Sequence, residues 1–207
     1  ISPGRFIPLA EESNLIEALT VQCIAAASRL WPRLRDALGY AVPVAVNLSP
    51  ALLRRADAVH LISEALKAHP IPPGGLELEL TESALMMKPE RVVRLLQSLR
   101  ALGAVLAIDD FGTGYSNLGA LRTYPLDRLK IDRSFIDDVP NDPGANAIAQ
   151  TVIDLARNLG LRTVAEGVEH EPQRQFLAEH GADAWQGYLG AKAMPPDALI
   201  EALRSGG

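Results

Sequence analysis

Short apolar runs alternate along this chain with longer segments in which apolar residues return every three or four positions. The first pattern predicts strands and the second amphipathic helices. Residues 41–48, with Val42, Val44, Ala45 and Val46, form a nearly continuous apolar run and are expected to be a strand buried on both faces. Leu76-Glu77-Leu78-Glu79-Leu80 alternates strictly, and 104–108, 128–132, 162–166 and 184–188 complete six predicted strands. Helices are predicted over 15–30, with a break at Pro32 and at most a further turn over 33–38. Others are expected over 51–68, 89–102, 116–122, 145–159, 172–179 and 196–203, and 5–12 as a short helix or a packed loop. Pro89 in a first turn and Gly103 after a helix end follow the usual asymmetry of helix termini.

Strand then helix, repeated with short connections, predicts a parallel sheet covered by helices. The position of the polar residues separates the two architectures that fit. Asn47, Glu79, Asp109 and Asp110, Lys130, Glu166 and Gln186 lie at or near the C-terminal ends of six strands. A doubly wound sheet places its ligand mainly at one switch point. A barrel gathers all strand ends onto one face. The expected fold is therefore α/β, a TIM-like β/α barrel. Because closure takes about eight strands, it is expected to be N-terminally incomplete by about two, which belong before Ile1. No linker, low-complexity tract or charge block divides residues 1–207, so one domain is expected.

Composition narrows the partners. With 48% hydrophobic residues the chain can bury a full core. A net charge of −5 argues against a nucleic-acid polymer, while leaving room for a small phosphate ligand bridged by metal ions. Cys23 is the only cysteine; it sits in a helical apolar pattern and is expected to be a buried structural thiol. No apolar run is long enough to span a bilayer, and Ile1-Ser2-Pro3-Gly4-Arg5 is no signal peptide, so a cytoplasmic domain is expected. The start, without Met, reads as the middle of a loop. His60, His69, His170 and His180 fall away from the strand ends and are expected at the surface.

The strand-end set is four carboxylates, two side-chain amides and one lysine, with no His or Cys. Such oxygen ligands suit Mg²⁺ or Mn²⁺ rather than zinc. The surplus of carboxylates points to two ions about 4 Å apart, the arrangement that drives phosphodiester hydrolysis. Lys130 in such a site would hold the attacking water or neutralise charge developing on phosphate. Asp109 and Asp110 side by side repel each other unless a cation joins them, and Gly112 and Gly114 free the backbone just beyond. Singly, each residue has a bland explanation as a turn former or solvated charge; together they make a site.

The run Asp109-Asp110-Phe111-Gly112-Thr113-Gly114-Tyr115-Ser116-Asn117-Leu118 resembles the signature of the EAL family of bacterial cyclic di-GMP phosphodiesterases. So do Val46-Asn47-Leu48-Ser49, Glu79-Leu80-Thr81-Glu82, Lys130-Ile131-Asp132, Ala165-Glu166-Gly167-Val168-Glu169 and Gln186-Gly187-Tyr188, in the same order and at similar spacing. The resemblance implies hydrolysis of cyclic di-GMP to linear pGpG in second-messenger signalling, with two Mg²⁺ or Mn²⁺ ions. It implies that Asn47, Glu79, Asp109, Asp110 and Glu166 are metal ligands, Asp109 bridging the ions. Lys130 matches the lysine that contacts the catalytic water and Glu166 the proposed general base. Glu169 and Gln186 match supporting residues. Glu82 matches a glutamate that anchors the loop containing Phe111, Gly112, Thr113, Gly114, Tyr115, Ser116 and Asn117, a loop linked in the family to substrate binding and dimerisation. A homodimer attached to other signalling domains, in a full-length protein that could be membrane-anchored, is the implied setting.

Two departures stand out. The Glu-Ala-Leu motif and the arginine after it, which in the family precede the segment starting at Ile1, are absent, and that Glu is a metal ligand. Gly190-Ala191-Lys192-Ala193 also stands where the family usually has Phe-Gly-Arg/Lys-Pro. The alternative function is therefore a catalytically inactive domain that serves as a cyclic di-GMP receptor or protein-interaction module. An unrelated metal-dependent barrel lyase fits the motif order poorly.

Overall fold

The structure, a computed structural model, describes residues 3–85, 88–112 and 118–205. In chain order the helices and strands are α1 (Pro3–Glu12), α2 (Ile16–Leu38), β1 (Val44–Leu48), α3 (Pro50–Leu53), α4 (Ala58–Ala68), β2 (Leu76–Thr81) and α5 (Pro89–Ala101). They continue with β3 (Val105–Phe111), α6 (Leu118–Leu121), β4 (Arg128–Ile131), α7 (Pro143–Asn158), β5 (Arg162–Ala165), α8 (Glu171–Glu179), β6 (Ala184–Trp185) and α9 (Pro196–Arg204). The chain divides into two compact units, Ile1–Leu106 with Met194–Gly207, and Ala107–Ala193.

In the first unit β1 and β2 pair in parallel, with Asn47 opposite Glu79. Leu78 and Leu80 are fully buried, as are Leu52, Leu53, Ile62, Leu96 and Leu99. The sequence pattern erred here in three places, each for a packing reason. Pro32 does not break α2, which runs on to Leu38. Its buried stripe continues through Trp31 and Leu34, and the proline ring lies on the exposed side, so tertiary burial outweighs one lost helical hydrogen bond. The single helix expected over 51–68 is two, α3 and α4. Leu52 and Leu53 cannot share one stripe with Ala58, Ile62 and Ala65, and the interruption at 54–57 lets both sets bury.

Third, β1 is not buried on both faces: Ala45 and Asn47 are exposed. They line a cavity of about 660 Å³ with Phe6, Ile7 and Cys23. Cys23 is accordingly exposed rather than buried, although partial burial still raises its pKa.

In the second unit β3, β4, β5 and β6 pair in parallel in chain order. Leu129, Ile131 and Ala165 are fully buried. The expected strand over 184–188 shrinks to Ala184–Trp185. It is pinned at its start by Asp183, whose Oδ2 accepts from the Thr163 backbone N–H at 2.8 Å. Each strand is followed in chain order by a helix. His60 and His170 are exposed as expected, whereas His69 and His180 are half-buried, His180 stacked on Phe176 with ring centroids 3.8 Å apart. Among the described residues, no helix is long and apolar enough to cross a membrane.

Candidate metal and hydrolytic centre

In a regular strand Asp109 and Asp110 would point to opposite faces. Here they do not, because β3 carries a bulge. Ile108 pairs with Leu129 and Phe111 with Ile131, so the two aspartates stand opposite Lys130 alone. Asp110 takes φ 54°, the left-handed region that Asp tolerates better than most residues. Its N–H donates to Asp109 Oδ1 at 3.1 Å. Gly112 follows with φ 95° and packs so closely on Phe135 that a Cβ there would lie 2.7 Å from the ring.

The ladder delivers the other members. Beyond the end of β5, the Glu166 N–H donates to Ile131 O at 3.0 Å, and beyond β6 the Gln186 N–H donates to Ala165 O at 2.8 Å. Glu166 thereby lies beside Lys130, and Gln186 beside Glu166. Lys130 Nζ sits 3.0 Å from Asp109 Oδ1 and 2.6 Å from Glu166 Oε1, with its side chain only 5% exposed. Gln186 Nε2 donates to Glu166 Oε1 at 2.6 Å.

One oxygen from each of Asp109, Asp110 and Glu166 lies within 4.8 Å of the others. Oxygens on opposite sides of an ion bonded at about 2.1–2.6 Å stand roughly 4–5 Å apart, so this trio fits a hard divalent cation. The electrostatics agree. Burial raises the Asp110 pKa, the charges of Asp109 and Asp132 raise it further, and Lys130 only partly offsets them. Negative charge is in surplus, and a cation would relieve it.

Two predicted ligands belong to the first unit. Asn47 and Glu79 are register partners near the ends of β1 and β2, Asn47 exposed and Glu79 6% exposed. Glu82 opens a 3₁₀ turn after β2 and is buried, as is Phe111 at the end of β3. Glu169 pairs with Arg133, Oε1 to NH1 at 2.8 Å. Thr113, Gly114, Tyr115, Ser116 and Asn117 lie outside the described residues.

Sequence reasoning passed over three residues. Glu77 shares the face of Glu79 and is 4% exposed, a position that the strict Leu-Glu alternation already implied. Arg133 and Gln173 both reach the turn after β5; Arg133 stands just past the Lys130-Ile131-Asp132 motif, and Gln173 in an ordinary helix start. Gly187 holds the same turn from the far side. A Cβ on it would meet Val168 O at 2.1 Å and Val168 N at 2.3 Å. Because those are backbone atoms that hydrogen-bond to Gln186 and Leu189, they cannot yield cheaply. Gly187→Ala is expected to cost about 3 kcal/mol by overpacking, read as a lower denaturation midpoint at unchanged slope; an unchanged midpoint would contradict this packing.

The EAL domain family model matches residues 1–193, so the chain belongs to the EAL domain family. It is 44% identical over 205 residues to the cyclic di-GMP phosphodiesterase NbdA of Pseudomonas aeruginosa, covering 99% of this chain and 26% of that protein. The chain thus spans about a quarter of the length of the relatives it matches. A solved structure described as the PaMucR phosphodiesterase in complex with c-di-GMP superposes with a TM-score of 0.87 at 40% identity, covering 96% of this chain and 87% of that one. The EAL domain of Mycobacterium smegmatis DcpA gives 0.81 at 36% identity, over 90% of this chain and 82% of that one. The fold shared with these structures is the α/β, TIM-like barrel that the strand-end pattern predicted.

Proposed function

We propose that this chain hydrolyses cyclic di-GMP to linear pGpG with two divalent cations. The observation that carries this reading is the trio Asp109, Asp110 and Glu166 around Lys130, in a chain of the EAL family. Asp109, Asp110 and Glu166 would hold metal, and Asn47 and Glu79 are assigned as further ligands by their match to the family pattern. Mg²⁺ or Mn²⁺, when bound, supplies charge stabilisation on the phosphate and leaving oxygens and eases deprotonation of water.

The protein groups do the rest. Glu166, oriented by Gln186 and Lys130, accepts the proton of the attacking water as its oxygen bonds to phosphorus. The Lys130 ammonium orients that water and offsets charge on the phosphate, and the opposite P–O bond breaks to open the ring. Glu82, Phe111, Gly112, Glu169 and residues 113–117 are assigned to substrate binding or its support by their match to the family pattern. A homodimer, joined to other signalling domains, is the proposed setting.

Purified protein at its natural length, incubated with cyclic di-GMP and Mg²⁺ or Mn²⁺, is expected to yield pGpG. Excess EDTA should reduce product to the enzyme-free background, and Mg²⁺ should restore it. Tight, metal-independent binding of cyclic di-GMP without product would instead establish the receptor function.

A further inference from the structure

We propose that Gln173 is a positioning residue that fixes the turn carrying Glu166 and Glu169 against the turn that follows Lys130. The inference rests on the hydrolytic reading above for its functional meaning, but its geometry stands by itself. Gln173 lies in the first turn of α8 and is 3% exposed, unusual burial for a glutamine. Its amide is used at both ends. Oε1 accepts from the backbone N–H groups of Glu169 and His170, each at 2.9 Å. Nε2 donates to Ile136 O at 3.0 Å, with Asp137 O at 3.4 Å.

A glutamine that only capped its own helix would need the acceptor end alone, reaching back to the N-cap N–H. Here the donor end crosses to a different connection, the one leaving β4. Two donors on one side and two carbonyls on the other leave a single amide orientation that works. A carboxylate could serve the first pair but not the second.

The rest of the turn is held from other directions. The Glu166 N–H bonds to Ile131 O at 3.0 Å and the Val168 N–H to Gln186 O at 3.1 Å. Outside the brace, Arg133 joins the same two turns, with Nε 2.9 Å from Asp137 Oδ1 and NH1 2.8 Å from Glu169 Oε1. Its side chain covers Gly167, where a Cβ would come within 2.4 Å of Arg133 Cγ. Arg133 is exposed and replaceable by solvent; Gln173 is buried and is not. Its loss should let the Glu166–Glu169 turn drift relative to Lys130, and displacements near 1 Å at a reacting centre cost on the order of a hundredfold in rate.

The test uses Gln173→Glu, which keeps the acceptor and loses the donor, and Gln173→Met, which fills similar space with neither. Amide hydrogen exchange at Glu169 and His170 needs no substrate and so separates this inference from the choice of substrate. Protection at those amides should fall at least about tenfold in Gln173→Met and stay near wild type in Gln173→Glu. With cyclic di-GMP, kcat should fall about ten- to a hundredfold in both variants, with KM within about threefold. Unchanged exchange in Gln173→Met would overturn the brace. Variants that melt lower yet keep wild-type kcat well below their melting temperature would show a helix cap only, and would overturn the positioning role. If wild-type protein makes no pGpG, the substrate assignment fails while the exchange result still decides the brace.

Discussion

Glu166→Gln should abolish turnover while leaving the fold intact. Glutamine has the shape of glutamate, and its Oε1 can still accept from Gln186 Nε2 and Lys130 Nζ, which now stand 2.6 Å away on either side. What disappears is the charge that would hold a cation and the oxygen that would take a proton. Loss of a positioned general base costs about 10²–10⁴ in rate. Loss of one carboxylate from a crowded acidic cluster should leave stability within about 1 kcal/mol, or raise it, since like charges destabilise one another. The two readouts together, kcat from pGpG formation and the melting temperature by circular dichroism, identify a chemical defect. A variant with kcat within tenfold of wild type would remove Glu166 from the mechanism.

Lys130→Met should do the reverse in the absence of metal, striking stability first. The ammonium is buried and contacts Asp109 and Glu166. Breaking a buried pair from one side costs about 3–5 kcal/mol, because the remaining charges stay buried without their partner. At about 2–4 °C per kcal/mol for a chain of this size, the melting temperature in EDTA should fall by roughly 6–20 °C. A divalent cation that binds the folded trio stabilises it by mass action, about 2.7 kcal/mol at a hundredfold excess over Kd. Added Mg²⁺ should therefore raise the melting temperature of the variant more than that of wild type, where Lys130 already neutralises part of the cluster. Equal melting temperatures in EDTA would show that the ammonium contributes nothing to folding. Turnover should be lost in both conditions.

Which parts of this molecule were legible beforehand follows from the range of the forces involved. Period-two alternation marks Glu79, and polar residues closing apolar runs mark Lys130, Glu166 and Gln186, since the strand pattern is written locally. The same local logic failed at Pro32, where propensity predicted a break and a continuous buried stripe through Trp31 and Leu34 prevailed. It failed at Cys23 and Ala45, whose exposure depends on what faces them rather than on their own pattern. Gln173 was invisible for a related reason. Its burial comes from contact with carbonyls of another connection, and nothing in its own neighbourhood of sequence announces them. Adjacent aspartates were legible as a charge problem, but not the two-against-one register that turns both toward Lys130.

That register has a consequence for how a cation would be held. Asp109 and Asp110 are consecutive, so wherever the bulge persists they act as a local chelate, and engaging the second oxygen is an intramolecular step. Glu166 is distant in sequence and reaches them because β5 pairs with β4 and the Glu166 N–H continues that ladder to Ile131 O. Transient opening at the end of β5 would strip away one ligand and leave a weaker pincer of two. Cation occupancy then becomes a gauge of long-range strand pairing, and a bound ion, in turn, staples sequence-distant strands together.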